Sequence, residues 1–270
     1  MIWRILKYIQ HLFHRRHRRG HAIHSPYVFE FVNGVVFNAD RVTVPDEITG
    51  MHRALKKDRS MLPVGKLGAT SNVDPAGDRS GQRSVGSFVK GSSVSEKYGA
   101  LLHRITRWFN PEMVIELGTG LGVSTIYLAS GSAERPLHSI EGNTDRADFA
   151  AHLINRCNLG FVSIHWGEME EKLEELMPVL GGEGRTGRFV AFVDGNHRYE
   201  PTVAYVKRLI ERAGEEAVII MDDIYWSEGM NRAWKEVISW PEVRVTVDLY
   251  HLGILLLRED LSKAHIKVKF

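Results

Sequence analysis

Val114-Ile-Glu-Leu-Gly-Thr-Gly-Leu-Gly-Val-Ser-Thr125 joins a short apolar run to a helical pattern through three glycines. A short apolar run carries an acid, Glu116. A loop with Gly118, Gly120 and Gly122 follows, and a helical pattern begins at once. That order puts backbone N–H groups at a helix N-terminus, where they can face a ligand. The glycines let the chain turn tightly and leave no Cβ to obstruct a nucleoside. A dinucleotide fingerprint reads G-x-G-x-x-G, and its third glycine position here holds Val123. Glu116 would also repel a pyrophosphate, whereas it suits a cationic ligand.

Working outward, strand and helix patterns alternate. Strands are expected near 112–117, 136–141, 161–166, 188–194, 216–222, 243–249 and 251–258, and helices near 122–131, 144–157, 168–180, 200–213 and 229–239. Alternating units of this kind imply an α/β fold with a doubly wound, mostly parallel sheet of seven strands. The last two strands meet at Tyr250-His251 with almost no connection. A parallel crossover needs a dozen or more residues, so this pair is expected as an antiparallel hairpin.

The 270 residues suffice for one large α/β domain with an extension. A net charge of +2 argues against a general nucleic-acid binder. The single cysteine, Cys157, excludes an internal disulfide framework and a cysteine-based zinc site. It lies in a predicted helix and reads as a small buried hydrophobe. No apolar run reaches the roughly 20 residues that a membrane helix needs. The N-terminus does not read as a signal peptide, because Arg4 and Lys7 interrupt its apolar stretch. A cytoplasmic protein is the expectation.

Residues 1–92 are expected as an N-terminal helical extension and 93–270 as the catalytic domain. Ile2, Ile5, Leu6, Ile9, Leu12 and Phe13 share one helical face, and the basic run His14-Arg-Arg-His-Arg-Arg19 follows. Residues 1–19 could touch a membrane surface or RNA as a basic amphipathic helix. Packing on the domain, or on a second copy as a homodimer, is favoured, because amphipathic helices usually pack their apolar face. Ser25-Pro26 reads as a helix start, with helices over 26–37 and 45–59. Residues 60–92 are rich in Gly, Ser, Pro, Asp and Arg, lose apolar periodicity, and are expected as a flexible insert or lid. Ser93-Val-Ser-Glu96 reads as a capping box that opens a helix to about Phe109.

Ligands of such sheets bind beyond the carboxyl ends of the strands. The second strand ends in Glu141-Gly142, 23 positions after Gly118, where a carboxylate can accept hydrogen bonds from ribose hydroxyls. The third is followed by Gly167-Glu168. The fourth ends in Asp194-Gly-Asn-His197-Arg-Tyr-Glu200 and the fifth in Asp222-Asp223-Ile-Tyr-Trp226. Three carboxylates at neighbouring strand ends repel unless a cation or protons intervene. Oxygen ligands suit Mg²⁺, or less often Mn²⁺ or Ca²⁺. The bland readings are a strand-end acid, a capping pair and a surface-loop histidine. Tyr225 and Trp226 read equally as pocket walls or as partly buried aromatics.

The glycine loop with Glu116 and Glu141 resembles motif I and the following acid of class I S-adenosylmethionine (SAM) methyltransferases. The terminal hairpin is similar to their seven-stranded fold. The resemblance covers about residues 93–258. It implies that Glu116, Gly118, Thr119, Gly120, Gly122 and Ser124 lie about the methionine part of SAM. It also implies that Glu141 and Gly142 hold the ribose, that Glu168 lies near adenine, and that Asp194 contacts the cofactor. Asp194, His197, Asp222 and Asp223 resemble the metal-dependent O-methyltransferases, closest to the Asp-Gly-x-His-x-Tyr group. That likeness implies a divalent cation, Mg²⁺ above all, on Asp194, Asp222 and Asp223. It further implies catalytic Asp194 and His197, with His197 as base where catechol-type members carry lysine. The expected reaction is methyl transfer from SAM to a hydroxyl of a small-molecule acceptor, with nucleic acid not expected as partner. The alternatives are a metal-independent methyltransferase, an RNA or protein methyltransferase guided by the basic N-terminus, and a non-enzymatic interaction protein of the same fold.

Overall fold

The computed structural model describes residues 2–14, 23–37, 42–63, 81–180 and 187–270. In chain order the elements are α1 (Ile2–His14), α2 (Pro26–Glu30), which continues as a π-helical segment (Phe31–Phe37), α3 (Asp46–Leu55), β1 (Met61–Pro63), β2 (Gln82–Ser84), α4 (Val85–Ser92), α5 (Glu96–Phe109), β3 (Met113–Leu117) and α6 (Val123–Gly131). They continue as β4 (Leu137–Glu141), α7 (Thr144–Arg156), β5 (Val162–Trp166), α8 (Met169–Leu176), β6 (Phe189–Val193), α9 (Tyr199–Arg212), β7 (Val218–Asp222), α10 (Glu228–Val237), β8 (Val245–Asp248), β9 (Leu252–Leu256) and β10 (Ala264–Lys267). Eight of the strands make a mainly parallel sheet. The chain divides into two compact units, Val42–Leu173 and Met1–Arg41 with Glu174–Phe270.

In the unit of residues 42–173, β3, β4 and β5 pair in parallel, with Val114 opposite Leu137 and Leu137 opposite Val162. Residues 114–117 are buried, as apolar strands covered on both faces must be. β5 is more exposed, which suits its place at the edge of the order. Arg53 on α3 and Lys56 at its C-cap both bond Glu96 at the start of α5, at 3.0 and 3.1 Å. Ser95, not Ser93, caps α5, accepting from Tyr98 N. The capping-box reading of Ser93–Glu96 is thus corrected. Glu96 bonds the two cations, and Ser93 closes α4. Cys157 caps the C-terminus of α7 and is half-buried.

The 60–92 stretch is also partly corrected. β1 and β2 pair antiparallel, and Ser84 caps α4 by accepting from Ser87 N. Val85, Phe88 and Val89 on α4 are buried. Their i, i+3, i+4 spacing was masked by the glycines and serines around them. Residues 64–80 lie outside the described residues.

In the other unit the strand order is β6-β7-β9-β8-β10. β6 and β7 are parallel, with Val193 opposite Met221. The hairpin is present, and its return strand β9 lies antiparallel between β7 and β8. All five residues of β6 and all five of β9 are buried. The expected seven strands become eight through β10, which pairs in parallel with β8. β10 escaped notice because only Ile266 of its four residues is buried, and Lys267 marks it as an edge.

The N-terminal helix departs from expectation. Ile5, Leu6 and Ile9 are 53%, 55% and 43% exposed. Its docked face is aromatic and polar. His11 Nε2 donates to the Val268 carbonyl at 3.1 Å, and its Nδ1 lies 3.3 Å from Asp248. Tyr8 packs edge-on against Tyr250, whose hydroxyl donates to the Arg4 carbonyl at 2.7 Å. Asp248 is buried and accepts from the Tyr225 hydroxyl and from Tyr250 N, at 2.7 and 2.9 Å. Three groups that meet one buried carboxylate outweigh the apolar stripe, so the favoured packing of the Ile5, Leu6, Ile9 face on the domain is corrected. Residues 15–22 lie outside the described residues.

Candidate active site

The glycine loop joins β3 to α6 within the unit of residues 42–173. Gly118, Gly120 and Gly122 all have positive φ, at 102°, 54° and 82°. Gly122 is the N-cap of α6. A Cβ on Gly120 would meet nothing within 4 Å, so this backbone faces open space. Gly120 N donates to Glu141 Oε2 at 2.8 Å. The other oxygen of Glu141 accepts from Asn143 N at 2.9 Å. Glu141 therefore ties the loop to the start of α7, and burial pushes its carboxyl up from the usual range while the backbone donors oppose. Gly142 and Gly167 flank it at the ends of β4 and β5, and Gly167 N donates to the Glu141 carbonyl. Glu168 is exposed.

Glu116 is fully buried beneath this loop. Its Oε2 accepts from Thr125 Oγ1 at 2.5 Å and Ser139 Oγ at 2.6 Å, and Ser124 bonds the same carboxyl. Thr119 Oγ1 lies 2.6 Å from Ser139 Oγ. Glu116, Thr119 and Ser124, which the sequence suggested as ligand contacts, thus share a buried hydroxyl network. Burial raises the Glu116 carboxyl to about 7, against the pull of its three hydroxyl donors. Its Oε1 has no hydrogen-bond partner among the described residues.

The second constellation lies in the other unit. The parallel pairing of β6 and β7 brings Asp194 and Asp222 together at one rim. Their carboxyls share a hydrogen bond, and Asp222 is held well above the ordinary carboxylate range. Its enclosure is the first cause, the negative charges of Asp194 and Asp223 come next, and His197 opposes them. His197 Nε2 lies 3.3 Å from Asp194 Oδ1. Its Nδ1 is buried and lacks a partner among the described residues. Asn196 and His197 both hold left-handed backbone, at φ 67° and 40°. Asn196 keeps that turn in place by donating to Tyr205 Oη at 3.1 Å and accepting from Arg198 Nε at 3.0 Å. Backbone in this region costs of order 1–3 kcal/mol and persists where surrounding bonds hold it.

Asp223, also left-handed at φ 52°, lies 3.8 Å from His251. His251 was missed in the sequence, where nothing ties the hairpin turn to the end of β7. Tyr225 is buried, with its ring stacked on Tyr250. Trp226 is exposed, and the Arg4 guanidinium covers its ring at 4.1 Å. Among the described residues no group of three His, Cys, Asp or Glu side chains is arranged to hold a metal ion. No helix among them is long and apolar enough to cross a membrane.

Residues 115–224 match the family model described as a methyltransferase domain. Similar solved structures include an O-methyltransferase from Bacillus cereus in complex with S-adenosylhomocysteine (SAH). It is 18% identical over 85% of this chain and 97% of that one, with a TM-score of 0.54. The O-methyltransferase TomG from Streptomyces achromogenes, in complex with SAM, is 18% identical over 83% and 95%, with a TM-score of 0.53. The SAH-bound Podospora anserina methyltransferase PaMTH1 is 12% identical over 85% and 96%, with a TM-score of 0.57. No curated protein matches the sequence. At such identities the structures show a shared fold, and the family match points to methyl transfer. Residues 115–224 therefore match a methyltransferase domain, on a fold that the chain shares with these structures.

Proposed function

We propose that the protein transfers a methyl group from SAM to a hydroxyl of a small molecule, with His197 as general base. The donor half rests on the open, positive-φ backbone at Gly120 and on Glu141 beside it. SAM supplies an activated methyl on a cationic sulfur when bound. Glu141 accepts hydrogen bonds from the ribose hydroxyls, and the backbone of Gly118–Gly122 lines the methionine part. Glu116, Thr119 and Ser124 act on the donor through the loop that they hold from beneath. Gly142 and Glu168 line the nucleoside at the next strand ends.

The acceptor half rests on one observation, the Asp194–His197 pair. A carboxylate can only accept, so Asp194 holds the proton of His197 on Nε2. Nδ1 then carries the lone pair that takes the acceptor's hydroxyl proton. The displaced bond is methyl to sulfur and the new one is methyl to oxygen. Positioning of two reactants can supply up to about 7–11 kcal/mol of such a barrier.

A divalent cation fits the donor chemistry of Asp194, Asp222 and Asp223, since two carboxyls there crowd one another and an oxygen site suits Mg²⁺. It would lower the pKa of a bound hydroxyl. A metal-independent enzyme is the second reading, favoured by the hydrogen bond between Asp194 and Asp222, in which a proton does a cation's work. Labelled methyl transfer from SAM to a panel of small hydroxylated acceptors, with and without EDTA, separates the readings. Loss with EDTA and recovery with Mg²⁺ supports the cation, undiminished turnover rejects it, and failure of SAM to bind by calorimetry rejects the whole assignment.

A further inference from the structure

Glu116 is enclosed completely, yet only one of its two carboxyl oxygens is satisfied. From α6 the carboxyl meets the hydroxyls of Ser124 and Thr125, and from β4 the hydroxyl of Ser139 and the charge of Glu141. None of these groups is a cation. Its Oε1 has no hydrogen-bond partner among the described residues. An enclosed carboxylate with no cation beside it is costly, so such a group holds its proton until positive charge comes near. The glycine loop offers a place for that charge. Ser139 Oγ bonds both Glu116 and Thr119 of the loop, each at 2.6 Å. Two hydroxyls thus connect the carboxyl to a backbone whose next residue, Gly120, faces open space.

We propose that Glu116 discriminates SAM from SAH by charge, releasing its proton to solvent when the sulfonium is held on the loop and regaining one when the thioether is left. The inference rests on the reading that SAM lies along Gly118–Gly122. The two molecules differ in one methyl and one positive charge, so a group that responds to charge separates them where shape is nearly the same. During transfer the methyl leaves for the acceptor oxygen, the carbon–sulfur bonding pair stays on sulfur, and the sulfonium charge disappears. The acceptor's proton goes to His197, and the proton that Glu116 regains comes from solvent. A nearby cation favours a carboxylate over its acid by about tenfold or more. Burial holds the Glu116 carboxyl up at about 7 without such a cation. By linkage, SAM affinity climbs as pH rises toward 7 and levels above it, and SAH affinity varies less.

The test is calorimetry of the full chain with SAM and with SAH, in buffers of differing ionisation heat, which counts the protons released on binding. SAM should release more than SAH near neutral pH. The ratio of SAM to SAH affinity should rise about tenfold between about pH 5 and 8. Glu116→Gln keeps an acceptor oxygen for the hydroxyls but cannot ionise. It should bind both molecules and lose most of the difference in proton count and of the pH trend in the ratio. Thr125→Val removes one donor to the carboxyl, so the trend should move to higher pH. This second variant decides the matter if Glu116→Gln does not fold. A parent that releases equal protons with SAM and SAH overturns the inference while SAM binding stands. So does a Glu116→Gln variant with the parent's trend, or a trend that Thr125→Val leaves in place. Failure of SAM and SAH to bind the parent overturns the SAM reading itself, and this inference with it.

Discussion

Gly120 N and Glu141 Oε2 are joined by a 2.8 Å hydrogen bond that spans the end of β3 and the end of β4. The same carboxylate accepts from Asn143 N, so one side chain sets both the glycine loop and the first turn of α7. Glu141→Gln should loosen both, because an amide presents one acceptor oxygen where the carboxylate presents two. A hydrogen bond to a charged group contributes roughly 1.5–3 kcal/mol. SAM affinity should fall about tenfold or more by calorimetry; an unchanged affinity would mean that Glu141 serves the fold alone.

Gly120 and Gly122 should respond differently to alanine. Both pay for positive φ, of order 1 kcal/mol. At Gly122 the new Cβ also meets Ala150 Cβ and Leu153 Cδ2 at 3.3 Å. At Gly120 it meets only open space. Gly122→Ala should therefore lower the unfolding free energy more, whereas Gly120→Ala should lower SAM affinity more for the stability it loses. Denaturant melts paired with calorimetry would show the contrast, and parallel losses in both variants would count against an open ligand face at Gly120.

His197→Gln should reduce kcat by about 10²–10⁴, the usual contribution of a general base. SAM affinity should stay within about twofold, since the donor residues lie elsewhere in the chain. Asp194→Asn should also lower kcat, because a neutral amide replaces the carboxylate that fixes the His197 proton on Nε2. A His197→Gln enzyme with parent turnover would remove the base assignment.

Buried titratable groups of opposite sign should shape stability against pH. Glu116 has an ordinary value of 4.5 and is raised to about 7 in the fold. Its stabilisation is complete below 4.5 and is lost as pH rises toward 7, because the unfolded chain ionises first. The difference corresponds to about 3 kcal/mol. His52 and His103 move the other way, from 6.5 to about 4, chiefly through burial, with Lys56 and Arg107 adding to it respectively. Their contribution is present above 6.5 and is lost as pH falls toward 4. Glu116→Gln should remove the fall in stability between pH 4.5 and 7 and leave the acid-side loss. Guanidinium melts at stepped pH would read this, and a parent profile retained by Glu116→Gln would exclude the assignment.

Apolar runs and turn signals placed the elements from α5 to β9 and the ends of their strands. Runs such as Phe189–Val193 and Leu252–Leu256 are apolar throughout, and only a covered strand tolerates that. The turn at Tyr250-His251 was too short for anything but a hairpin. Ser25-Pro26 marked its helix start by local chemistry, and Ser25 does accept from Val28 N. The placing of Asp194 beside Asp222 was likewise legible, since both acids end adjacent strands.

Where side chains point, and which distant partners they meet, depended on how the elements pack. Glu116, Thr119 and Ser124 sit in the loop signature, yet Glu116 and Thr119 turn inward to Thr125 and Ser139, and Ser124 bonds Glu116. The contact of Asp223 with His251 joins residues far apart in the chain, and no local pattern encodes it. The serine-rich start of α4 hid three buried side chains. The clearest case is α1. Its period predicted an inward apolar face, but Asp248 and the Val268 carbonyl bind His11 instead. Periodicity reports how a helix can divide its surface; which side is buried depends on the polar groups waiting in the rest of the fold, and a buried carboxylate must be met.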